Sequence, residues 1–142
     1  MSRYGYANNS LAQGYAALIG VVLVVVGLLG FIQNPIVATP TDSVSPIFHT
    51  DAIHNIVHLA TGAVALFIAF GLRGEQQANG VIGFGILYVV ILLAVLVSPT
   101  LFGLLSVPAN PALHVLHASL AITGLAVGYM AKGRAETAPS RS

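Results

Sequence analysis

Between Leu11 and Ile32 the chain carries no charged side chain, and from Leu18 onward it reads Leu-Ile-Gly-Val-Val-Leu-Val-Val-Val-Gly-Leu-Leu-Gly-Phe-Ile. A run of that length and character suits a bilayer core, which takes about 20 apolar residues per helix. Three more stretches satisfy the same rule, at about 51–72, 80–97 and 110–131. Lipid offers the backbone no hydrogen-bond partner, so each run must close its bonds internally as a helix. These runs are also too long for buried strands, which usually hold about 4–8 residues. The expected fold class is therefore all-α, an integral membrane four-helix bundle.

Composition agrees. Only 6% of residues are charged and the mean hydropathy is +0.89, where soluble domains carry roughly 25% charged residues. A formal charge of +1 leaves no basic field, so nucleic acid is excluded as a partner. The absence of cysteine rules out disulfides, iron–sulfur clusters and thiolate catalysis. The segment Met1–Gln13 is polar with one charge and runs directly into a full-length span, which is not the pattern of a cleavable signal peptide.

Local signals set the expected boundaries. Gln33-Asn34-Pro35 should end the first span, because proline cannot donate a helical hydrogen bond. Thr50 and Asp51 suit the N-terminus of the second, and Ser98-Pro99 should stop the third. Asn110 reads as a cap, with Pro111 at the first helical position of the fourth. Residues 1–10 form an N-terminal arm, 11–131 a single domain, and 132–142 a flexible tail.

The chain also matches itself. From His58 to Gly74 it aligns without a gap on His117 to Gly133, pairing Leu66 with Leu125, Phe70 with Tyr129 and Arg73 with Lys132, while Asn55 falls opposite His114. This reads as a helical hairpin duplicated in tandem, the two halves being parallel repeats about an axis along the membrane normal. Arg3, Arg73, Lys132, Arg134 and Arg141 lie outside the spans on one side, and the other two loops hold no Lys or Arg. The positive-inside rule then places both termini in the cytoplasm.

Among the five histidines, His54 and His58 share a helical face, as do His114 and His117. The second and fourth spans run in the same direction, so at about 1.5 Å per residue all four rings sit at similar depth, roughly 5–12 Å inside the outer boundary. Polar groups there are expensive and mark a functional site by default. His54, His58, His114, His117 and Asn55 are thus the cofactor-binding candidates, with His58 and His117 the metal-ligand pair. Haem b would take one imidazole from each of two helices and chlorophyll a single one; zinc or copper would take three or four, and quinone a single hydrogen bond. A purely structural role, in which the rings bond one another, Asn55, Thr61, Ser119 and loop carbonyls, is the bland alternative.

Other chemistry is missing from the pattern. The interval between His54 and His58 is Asn-Ile-Val, so no H-E-x-x-H motif exists. Asp42, Asp51, Glu75 and Glu136 all lie in loops, tails or at a helix edge, so the mid-membrane carboxylate of a pump or ion-coupled transporter is absent. No nucleophile elbow or phosphate loop appears, and an enzyme is not expected. Small residues form flat faces at Gly124-x-x-x-Gly128, Ala65-x-x-x-Ala69 and Gly80/Gly83/Gly85, suited to close helix packing or to docking another subunit.

Gly27-Leu-Leu-Gly30-Phe31 with Asn34-Pro35, then His54-Asn-Ile-Val-His58-Leu59 with Gly62, then Leu113-His114, resemble a bacterial four-helix membrane family, that of domain of unknown function 4383. The resemblance covers all four spans. It implies four transmembrane helices, a histidine motif on the second and a bacterial inner membrane location, and it brings no activity, cofactor or substrate. The expected role is a non-catalytic accessory subunit of a larger energy-transducing or photosynthetic membrane complex, docked through the small-residue faces, with histidines that brace the bundle or ligate haem or chlorophyll. The alternative is a stand-alone His-ligated haem b or metal-binding membrane protein.

Overall fold

The computed structural model describes residues 9–137, with side chains described to residue 134. Within them, four α-helices carry the fold: α1 (Ser10–Leu29), α2 (Ala52–Gly71), α3 (Gly74–Val97) and α4 (Pro111–Thr137). All four contain segments long and apolar enough to cross a membrane. Between α1 and α2, strands β1 (Val37–Ala38) and β2 (Phe48–His49) pair in parallel. The protein is a multi-pass membrane protein of the all-α class, and its two hairpins, α1–α2 and α3–α4, are the most extensively packed pairs.

Glycine permits that packing. A Cβ on Gly20 or Gly27 would meet Leu66 or Leu59 at 2.8 Å, and one on Gly85 would lie 2.7 Å from the Leu125 backbone nitrogen. Residue numbers rise on one helix as they fall on its partner, so each hairpin is antiparallel. Hydrogen bonds then join the hairpins. The Tyr15 hydroxyl reaches Leu120 O and Thr123 Oγ1 on α4, and Thr61 Oγ1 meets the Tyr88 hydroxyl at 2.9 Å across α2 and α3. These contacts give an up-down-up-down bundle in which α2 and α4 run parallel.

A polar knot closes the end of the bundle where α1 begins. Gln77, fully buried, donates from Nε2 to Ala69 O at 2.8 Å and accepts from the Asn9 amide at 2.7 Å. Asn9 caps α1 at the Ala12 amide and also donates to Ala131 O, while Gln13 donates to Ala69 O. One turn of side chains thereby bonds backbone from α1, α2 and α4.

Several boundaries differ from the sequence reading. Helix α1 stops at Leu29 instead of Ile32, because the Asn34 side chain, just before Pro35, donates to Leu29 O and Ile32 O and accepts from Ile36 and Val37 amides. Helix α3 begins at Gly74 rather than Gly80, since the polar turn Glu75–Gln77 is helical too and Gln77 finds its partners inside the bundle. Helix α4 continues to Thr137 where a tail was expected from residue 132. The arm at residues 1–8 and the last five residues lie outside the described part.

Asn110 stands just before Pro111 as expected, its carbonyl accepting from the Leu113 and His114 amides, while its side chain turns to the α1–α2 loop, donating to Ile47 O and accepting from the His49 amide. The small-residue faces are used inside the bundle: Ala65 and Ala69 are buried, and Gly124 and Gly128 lie against Gly85 and Ile82 of α3. Gly80 likewise backs onto Ile68 and Leu72, while a Cβ at Gly83 would meet no atom within 4 Å. The Ala65/Ala69 and Gly124/Gly128 faces are thus packed within the bundle, and Gly83 is exposed.

Candidate functional site

The end of the bundle that carries the α3–α4 loop is organised by Asp51. Its Oδ1 accepts from the His54 amide at 2.8 Å, which starts α2. Its Oδ2 accepts from the amide and hydroxyl of Ser106 and the amide of Val107, at 2.6, 2.9 and 3.3 Å. Burial by itself would raise the carboxyl pKa, but these hydrogen bonds outweigh it and hold Asp51 below the ordinary carboxylate value. The α3–α4 loop is thus clasped to the first turn of α2.

His54 follows directly in that turn, and His58 lies one turn deeper on the same face, their ring centroids 4.6 Å apart. His58 and His117 are each the seventh residue of their helices. With α2 and α4 parallel, the two rings reach the same depth from opposite sides of the bundle axis. His117 lies 6.0 Å from His54 and 5.9 Å from Tyr88, centroid to centroid. All three imidazoles are buried, at 5%, 1% and 2% exposure for His54, His58 and His117.

These rings lack hydrogen-bond partners where burial demands them. His54 Nδ1, both nitrogens of His58 and His117 Nδ1 are buried without one. Burying such atoms unbonded is costly, and each instance in a folded protein calls for an explanation. One ring nitrogen from each of the three lies within 4.8 Å of the other two, a spacing that can hold a metal ion. Tetrahedral ligation at about 2.0–2.1 Å sets nitrogens about 3.4 Å apart, so ligation would require the rings to turn inward about their soft ring torsion. A cavity of about 130 Å³ adjoins the three rings and the Tyr88 side chain.

The structure sorts the sequence candidates. It brings His54, His58 and His117 together; His114 is not in that group, although its Nδ1 is also buried without a partner. The expected four-ring cluster is therefore a three-ring one: His114, about 4.5 Å nearer the start of α4 than His117, is half-buried and outside the converging group. Asn55 turns away as well. Its side chain presses on Gly30 of α1, where a Cβ would collide with Asn55 Oδ1. The bracing partners anticipated for the rings are engaged elsewhere: Thr61 with Tyr88 and its own helix backbone, Ser119 with Val115 O. Sequence reasoning missed Tyr88 and Ser106. The only signal for Tyr88 was a lone hydroxyl in an otherwise aliphatic stretch of the third span.

Parallel helices with buried, partnerless imidazoles at matched depth define a multi-pass membrane protein with a polar site in one leaflet. The chain belongs to the family described as Domain of unknown function (DUF4383), whose model matches residues 13–130. No curated protein and no solved structure matches it.

Proposed function

We propose that this protein binds a transition metal ion through His54, His58 and His117. One observation carries the reading: three buried rings converge with ring nitrogens that have no other partner. Imidazole nitrogens favour zinc, copper, iron or nickel over the hard cations, and three of them leave a fourth position open. The adjoining space supports a metal over a tetrapyrrole, since about 130 Å³ falls below the roughly 300–1,000 Å³ of pockets that enclose drug-sized ligands. Asp51, the nearest acid in sequence, is committed to Ser106 and Val107, which favours a binding protein over a hydrolytic enzyme.

The lysine and arginine distribution supports cytoplasmic termini in a bacterial inner membrane, which puts the site in the outer leaflet. An accessory role in a larger membrane complex is consistent with loops too short for a soluble domain.

The test is metal content after purification and equilibration with Zn²⁺. The expected result is one ion per chain in the wild type and substantially less than one in His58→Ala and His117→Ala. A wild type that retains no zinc, copper, iron or nickel would sink the reading.

A further inference from the structure

The cavity beside the rings is closed on one side and open on another. Leu101 and Leu105 of the α3–α4 loop roof it towards the outer aqueous phase. That roof is fixed in place by the bonds from Ser106 and Val107 to Asp51. It is also shaped by left-handed backbone at Leu101, Phe102 and Gly103, with φ of 49°, 59° and 92°. The walls, Val57 of α2 with Val90, Ile91 and Ala94 of α3, are apolar. Helices α2 and α3 meet at the end of the bundle where α1 begins, through Gly80 on Ile68 and Leu72, and again at the Thr61–Tyr88 bond. Beyond that bond the cavity occupies the space between them. Val90 on its rim is 57% exposed on the lipid-facing surface of the bundle.

We infer that the fourth position of the His54–His58–His117 site is reached laterally from the bilayer and takes a lipid-soluble molecule with one nitrogen or oxygen donor on a slender apolar body. This rests on the metal reading above. The roof sets the apolar side chains of Leu101 and Leu105 over the cavity, and the apolar walls give a polar solute no hydrogen bond. A volume of about 130 Å³ is comparable to the ~150 Å³ apolar cavities that take up benzene or xenon. The donor atom would complete the metal's coordination while the body fills the space between α2 and α3.

The experiment uses full-length protein in lipid nanodiscs, loaded with Co²⁺, whose visible bands report the fourth ligand. Imidazole and 1-butylimidazole are titrated in parallel. The expected result is binding of 1-butylimidazole tighter by on the order of a hundredfold, the gain for burying the three methylenes and the methyl of its butyl chain. In Ala94→Phe, and in Val57→Phe on the opposite wall, that preference should collapse to the difference set by partition into the bilayer alone. Equal affinity of the two azoles in the wild type would overturn the inference and leave the metal site standing, as would a preference that survives both substitutions. Failure of Co²⁺ to load at all would instead overturn the metal reading on which it depends.

Discussion

Asp51 and Ser106, fifty-five residues apart, are joined twice: one carboxylate oxygen takes both the amide and the hydroxyl hydrogen of Ser106, at 2.6 and 2.9 Å. The other oxygen starts α2 at the His54 amide. A single side chain therefore couples the roof of the cavity to the helix that carries two of its three rings.

Asp51→Ala should cost about 2–4 kcal/mol, combining a lost helix cap with lost charge-assisted hydrogen bonds. The carboxyl is held below its ordinary value when folded, so its contribution is present above the unfolded value, near 3.9, and is lost as pH falls through the folded one. Melting curves followed by helical circular dichroism should show stability declining at the acid end in the wild type. Asp51→Asn should flatten that part of the pH profile.

Bound metal should stabilise the fold by mass action. At a free concentration of about 100 times Kd the gain is about 2.7 kcal/mol, read as a rise in Tm on adding Zn²⁺ that EDTA reverses. His54→Ala and His117→Ala should lose the response. His114→Ala should keep it, since that ring is outside the converging group. A zinc response abolished equally by His114→Ala would contradict the three-ring site.

Two glycines of α3 should respond with opposite signs. Gly85→Ala drives a methyl into the backbone of Gly124 and Leu125, so it should cost about 1–3 kcal/mol. Gly83→Ala meets nothing within 4 Å and should gain about 0.5–1 kcal/mol from lower backbone entropy in the unfolded chain. Thermal melts of the two variants in the same detergent test the α3–α4 interface directly.

Gln77→Leu should loosen the end of the bundle where α1 begins. It strips the Asn9 amide of its acceptor and removes one of the two donors to Ala69 O, leaving Gln13 as the other. Interhelical polar contacts in membranes average about 0.6 kcal/mol and reach about 1.7, so a loss in that range is expected. Faster hydrogen exchange at the first turn of α1 would locate it.

Much of this architecture is legible without coordinates. Four uninterrupted apolar runs leave the backbone no alternative to helices, and Pro111 and Asp51 mark two of their starts because their local chemistry acts within one turn. The self-match of His58 with His117 likewise foretold two rings at one depth. Helical spacing says which residues share a face, and it correctly grouped His54 with His58.

What spacing leaves open is the rotation of each helix about its axis, and there the tertiary packing decided. Gly30 and Gly27 let α1 approach so closely that Asn55 faces them and not the rings. Helix α4 packs on α3 through Gly85 and Gly124, and in that packing His117 joins the cluster and His114 does not. It also fills the Gly124/Gly128 face of α4. Apolar length is a property of one segment, so the sequence determines it alone; which face meets which neighbour depends on pairs of backbones settling at the closest approach their missing side chains allow.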